Sequence, residues 1–144
     1  MKFWQSFSKK SIKKQFLFSL FLFAILVPIA IWDASTQVSV KFYDVDVYIK
    51  SDKYSMSVPY DIIDSAELAD LADPGERVDY SYDNDVLRAG VWYNETWGEY
   101  HIAANLNASN CVVLHLNDGR TFVFSGRNNN KTVELYNELL THIN

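Results

Sequence analysis

Cys111-Val112-Val113-Leu114-His115-Leu116-Asn117-Asp118-Gly119-Arg120-Thr121-Phe122-Val123-Phe124-Ser125 is the stretch that decides the fold. Two apolar runs flank Asn-Asp-Gly-Arg. An Asp-Gly pair between such runs is a strong hairpin signal, because glycine enters the positive-φ conformation that a tight turn needs. The spacing therefore predicts an antiparallel pair, residues 111–116 and 121–125.

Downstream the period changes. After Asn128-Asn129-Asn130, a source of an N-cap, Val133, Tyr136, Leu140 and Ile143 recur three and four residues apart, and Leu139 widens the stripe. Lys131, Glu134, Asn137 and Glu138 face away, so a C-terminal amphipathic helix is predicted.

Upstream the two-residue period returns. Val38, Val40 and Phe42 share one parity and Val45, Val47 and Ile49 the other, with a bulge or short break at Tyr43-Asp44. Ser51-Asp52-Lys53 is a turn into a run at Tyr54, Met56 and Val58, which makes a hairpin. Residues 60–71 alternate at Ile62, Asp64, Ala66 and Leu68, which favours strand over helix. Asp73-Pro74-Gly75-Glu76 is a turn, and the acidic residues 79–85 read as a solvated loop. Strands follow at 86–93 and 99–105 around Asn94-Glu95-Thr96-Trp97-Gly98, with a loop over 106–110.

Six or seven short antiparallel strands ending in one helix describe a mainly β domain of the pleckstrin-homology-like (PH-like) barrel type, over residues 40–144. The resemblance is to bacterial PH-like domains attached to membrane segments. It rests on Val58-Pro59-Tyr60-Asp61-Ile62, Arg88-Ala89-Gly90, Gly98-Glu99-Tyr100, residues 112–116 with 118–124, and Lys131-Thr132-Val133-Glu134-Leu135-Tyr136-Asn137-Glu138-Leu139. It covers roughly residues 40–143. These are structural glycines, strand patterns and a helix, so the resemblance implies a fold and is almost silent on chemistry.

The first 32 residues carry Lys2, Lys9, Lys10, Lys13 and Lys14 and no acid, and residues 15–32 hold no charge at all. At about 1.5 Å per residue, eighteen helical positions rise about 27 Å, near the thickness of a bilayer's hydrocarbon core. The expectation is a basic cytoplasmic tail (1–14), a single transmembrane helix (15–32) with Trp32 in an aromatic belt, and a linker (33–39). The lysines place the N-terminus in the cytoplasm and the domain outside it. A cleaved secretory signal and a buried core helix of a soluble protein are the alternatives, but cuts after Ala34 or Ala30 put Trp32 or Pro28 at the −3 position, where small residues are needed, and apolar side chains on every face leave no polar stripe.

All eighteen acids lie beyond Trp32, against eight lysines and arginines, which leaves residues 33–144 a net charge near −10. That balance repels nucleic-acid phosphates and excludes nucleic acid as a partner. One cysteine, Cys111, cannot make an internal disulfide.

Candidate chemistry is sparse. His101, His115 and His142 have no metal-ligand spacing, and Asp79, Asp83, Asn84 and Asp85, like Asp61, Asp64, Asp70 and Asp73, lack the loop of a calcium site. Cys111 reads as a buried structural thiol. No phosphate loop, catalytic triad or paired-carboxylate signature is present, so no catalytic residue, metal or cofactor is assigned. Asn94-Glu95-Thr96 and Asn107-Ala108-Ser109 match the glycosylation pattern. Trp92, Tyr93, Trp97 and Tyr100 crowd together and are the candidate binding residues, with core packing as the competing role. The function expected is a non-catalytic module that binds a protein or peptide partner at the membrane. The alternatives are a small-ligand or lipid-headgroup domain, for which Arg77, Arg88, Arg120 and Arg127 would have to converge, and a structural subunit of a membrane complex.

Overall fold

A computed structural model describes residues 9–35, 38–71 and 73–144, with side chains over 13–28, 38–71 and 73–144. Two compact units result, Met1–Ala34 and Ser35–Asn144.

In the first unit, α1 runs from Lys9 to Ser35 with Pro28 inside it. Lys9, Lys10, Lys13 and Lys14 lie within this helix, while residues 1–8, including Lys2, lie outside the described residues. Among the described residues no helix is long and apolar enough to cross a membrane. This corrects the transmembrane, signal-anchor and single-pass readings, and with them the two-sided topology. The expected belt residue, Trp32, has no described side chain, and linker residues 36 and 37 also lie outside the described residues.

The second unit is mainly β. Its strands are β1 (Ser39–Phe42), β2 (Asp46–Lys50), β3 (Ser55–Pro59), β4 (Ile63–Asp70), β5 (Glu76–Asp83), β6 (Leu87–Asn94), β7 (Gly98–Asn105), β8 (Asn110–Leu116) and β9 (Thr121–Phe124). A 3-10 turn at Tyr60–Ile62 leads into β4, and α2 (Asn129–Ile143) closes the chain. They form two open sheets, β1-β2-β3 and β4-β8-β9-β7-β6-β5. The closed, wholly antiparallel barrel is therefore corrected: β7 and β9 pair in parallel, and the sheets keep free edges. The parallel pair could not be read from sequence, because the strand that separates them along the chain, β8, inserts as a hairpin partner of β9.

Two local expectations also change. Residues 79–85 were expected as a loop, yet β5 extends to Asp83 by pairing with β6 through two register shifts, and Tyr80 takes φ 48° inside it. Acidic side chains suit a strand whose outer edge meets water. In α2, Asn128 caps the helix by accepting from the Lys131 amide at 2.9 Å. The buried positions are Thr132, Leu135 and Leu139, while Val133 is exposed. Of the expected stripe, Leu139 is buried and Tyr136 and Ile143 pack against the core, while Thr132 and Leu135 take the buried place expected for Val133. Thr132 also ties the helix start down, for its Oγ1 accepts from the Gly126 amide and donates to the Asn128 carbonyl.

Directly paired residues share a sheet face, which sorts the core. One face of the large sheet carries Ala103, Val112, Leu114, Leu116, Phe122 and Phe124, and buries them against Val47, Ile49, Met56 and Val58 of the small sheet and Leu135 and Leu139 of α2. The other face carries Trp92, Tyr100, Ile102, Ala104, Cys111, Val113 and Val123. What covers it follows from connectivity. β4 and β5 are opposite ends of the sheet, about 24 Å apart if six strands lay flat. By register, Asp70 is level with the Asn105 end of β7 and Glu76 with its Glu99 end. Six Cα steps reach at most about 22 Å. The sheet must curl, and the connection 71–75 must cross its concave face. Leu71 packs against that face, and the Tyr100 hydroxyl donates to the Pro74 carbonyl at 2.8 Å.

Candidate functional site

The connection that crosses the concave face meets the β6–β7 hairpin, and a cleft of about 390 Å³ opens there. Asp73, Gly75, Glu76, Tyr93, Asn94, Glu95 and Thr96 line it. Its walls are fixed by hydrogen bonds. The buried Asn94 amide donates from Nδ2 to the Asp73 carbonyl at 3.0 Å and accepts at Oδ1 from the Trp97 amide at 2.7 Å. One side chain therefore shapes the hairpin turn and holds the crossing segment. That employment also withdraws Asn94 from its role as a glycosylation acceptor.

The four candidate aromatics separate by role. Trp92 is buried and donates from Nε1 to the Ala89 carbonyl at 3.0 Å. Tyr100 is fully buried, which pushes its phenol up to about 12, so its hydroxyl stays a donor to Pro74. Trp97 packs edge-on against it, ring centroids 5.1 Å apart. Only Tyr93 is presented to solvent, 48% exposed at the rim of the cleft. Three of the four thus pack inward into the core cluster and one makes a contact surface. The carboxylates of Asp73, Glu76 and Glu95 around it were missed as site residues. Their signal was visible as a turn and a hairpin, but nothing in the sequence indicated that residues 73–76 lie beside 93–96.

The arginines do not form one basic pocket. Arg77 and Arg88 stack over the Trp92 ring at 5.4 and 5.7 Å, and Arg88 is paired with Asp83 at 3.2 Å. Arg120 is held by Asp118 at 2.8 Å and lies over Phe122. Arg127 is exposed just before α2. Three of the acidic loop candidates are likewise engaged: Asp79 Oδ1 by the Tyr80 amide, Asp83 by Arg88, and Asn84 Oδ1 by the amides of Val86 and Leu87.

The histidines sit in three separate surroundings. His101 stacks on Phe122 at 4.6 Å, and its Nδ1 lies 2.6 Å from the Tyr54 hydroxyl, which donates to it when the ring is neutral. Burial, followed by nearby Arg120, lowers its pKa. His115 pairs with Glu67 at 3.1 Å, and His142 stacks between Phe42 and Tyr60. Cys111 is buried with its thiol 3.6 Å from the Ala69 carbonyl, and burial pushes it up to about 12. A thiol held so is protonated at neutral pH and is a poor nucleophile. Among the described residues no group of His, Cys, Asp and Glu is placed to hold a metal ion.

Comparison of the chain with protein-family models, curated proteins and solved structures finds no match.

Proposed function

We propose that the domain is a non-catalytic interaction module whose cleft beside Tyr93 receives a positively charged segment of a protein or peptide partner. The observation that carries this reading is the pairing of one exposed aromatic ring with a preformed cleft lined by the acidic residues Asp73, Glu76 and Glu95. A lysine or arginine entering it can lie over the Tyr93 ring and face Asp73, Glu76 and Glu95. The hydrogen bonds of Asn94 and Tyr100 hold the walls before a partner arrives, so little ordering entropy is lost on binding. The domain's net charge near −10 adds long-range attraction for a basic partner.

The alternative of an anionic small ligand or lipid headgroup loses its support, since the four arginines are divided among Trp92, Asp83, Asp118 and the start of α2. The test is titration of the full-length protein with a labelled lysine-rich peptide, followed by fluorescence anisotropy. Binding should weaken with added salt, and Tyr93→Ala and Glu95→Gln should each weaken it. Equal affinity for parent and both variants would refute the assignment of the cleft.

A further inference from the structure

β4 ends the six-stranded sheet, with β8 on one side and no strand on the other. The hydrogen bonds at its end reveal which backbone groups face outward. The Leu71 amide donates to the Ser109 carbonyl, and the Ala69 carbonyl points toward Cys111 on β8. With Ala69 opposite Cys111 and Glu67 opposite Val113, the odd-numbered residues face β8. In an antiparallel ladder the residues between turn their N–H and C=O groups away. Those residues are Ala66, Leu68 and Asp70.

The outward carbonyl of Ala66 accepts from the Tyr136 hydroxyl of α2 at 3.4 Å. Among the described residues nothing bonds to the outward groups of Leu68 and Asp70. Pairing with β8 is uninterrupted from Ser65 to Asp70, so these groups form a regular row. The opposite edge, β5, differs: two register shifts and the positive φ of Tyr80 spoil it as a template.

Beside this row α2 provides a rim. Its start is tied near Asp70, where Asn129 Oδ1 accepts from the Ser109 amide at 2.8 Å, and Tyr136 reaches Ala66. Val133 falls between those ties along α2, and it and Leu68 are each 37% exposed. The other flank carries Glu67, and exposed Asp64 and Asp70 add charge along the strand. The edge thus offers free backbone groups, an apolar rim and carboxylates side by side.

We propose that the β4 edge takes an extended segment of another polypeptide as an added strand, one in which basic side chains alternate with apolar ones. Main-chain hydrogen bonds to Leu68 and Asp70 would supply register, Leu68 and Val133 would receive the apolar side chains, and Glu67 would face a basic one. A second copy of this chain is a poor occupant, because Asp64, Glu67 and Asp70 would oppose their own counterparts. This surface is separate from the Tyr93 cleft.

The test uses the full-length protein and an end-blocked peptide of alternating lysine and valine, with amide hydrogen exchange read by NMR. Binding should slow exchange at Leu68 and Asp70 by about tenfold or more, and an analogue N-methylated at alternate residues should bind about tenfold more weakly. Leu68→Pro should abolish binding without unfolding the domain, since the lost N–H has no internal partner. Glu67→Lys, which leaves the backbone untouched, should weaken it even if the proline variant fails to fold. Tyr93→Ala should leave this exchange protection in place. The proposal is overturned if both peptides bind alike, if the Leu68 and Asp70 amides are unaffected, or if they become protected by self-association alone. Binding lost with Tyr93→Ala but kept with Glu67→Lys would likewise overturn it while leaving the cleft reading intact.

Discussion

Replacing Gly75 by alanine tests the element on which the cleft depends. Gly75 has φ +77°, and a Cβ there would press into the Tyr93 carbonyl oxygen and come within 2.9 Å of the Asn94 Cβ. Alanine at such a φ costs about 1 kcal/mol through its backbone alone. The collision is with backbone, so residues 73–75 must lift. Lifting forfeits the bonds from Asn94 to Asp73 and from Tyr100 to Pro74. Each contributes about 1 kcal/mol, and a buried tyrosine hydroxyl left unpaired costs a further 1–3 kcal/mol or so. The sum is roughly 4–6 kcal/mol, a large share of the roughly 5–15 kcal/mol that holds a domain together. Gly119→Ala is the control: its φ is +89°, but nothing lies within 4 Å of the added methyl. Only the backbone cost of about 1 kcal/mol applies. In equilibrium urea unfolding the two midpoints should differ by on the order of 1–2 M. Equal midpoints would refute the crossing segment as a tightly seated wall of the cleft.

Two other outcomes follow from the packing. Leu139→Ala should destabilise the domain by about 2–5 kcal/mol, because Leu139 is fully buried between α2 and the large sheet, whereas Val133→Ala should move the urea midpoint little. The reverse order would mean the helix sits on its other face. Stability should also fall as the pH drops below about 6.5. Burial lowers the His101 pKa in the folded state, so the unfolded chain takes up the proton first. The contribution is whole above the ordinary histidine value and is lost as the pH descends toward the lowered one. His101→Gln, which can still accept from Tyr54, should flatten unfolding midpoints measured between about pH 7 and 5.5. An unchanged slope would discount burial of this ring.

Local signals were legible wherever the chemistry was local. Asp118-Gly119 marked the β8–β9 hairpin, Ser51-Asp52-Lys53 the β2–β3 turn and Asn128 the helix cap. Strand β4 was also readable from its alternation. What failed depended on distant neighbours. Nothing in residues 98–105 or 121–124 states that β9 lies parallel to β7, because that pairing follows from where the β8–β9 hairpin inserts. β5 looked like a loop because its edge carries Glu76, Asp79 and Asp83, and the pattern of a bulged, half-solvated strand has little period left. The α2 stripe holds at Tyr136, Leu139 and Ile143 but not at Val133, because the seat of Thr132 beneath Gly126 turns Leu135 inward at the helix start. The apolar run of residues 15–32 suggested a span by composition, yet among the described residues no helix is long and apolar enough to cross a membrane.

The candidate site illustrates the same division more sharply. An aromatic cluster at 92–100 was visible, but sequence alone could not assign inward and outward rings. Register settles it: Trp92 faces Tyr100 across the hairpin on the concave side, and Tyr93, one residue on, must point the other way. The partner residues come from upstream: Glu76 lies directly opposite Tyr93 in the β5–β6 ladder, and Asp73, held by the Asn94 side chain, belongs to the short β4–β5 connection beside it. Connection length, sheet curl and cleft are therefore one physical fact. Lengthening the 71–75 connection would relax the curl and remove Asp73 from Tyr93 before it disturbed any strand, so the cleft should be the first feature lost when that segment is altered.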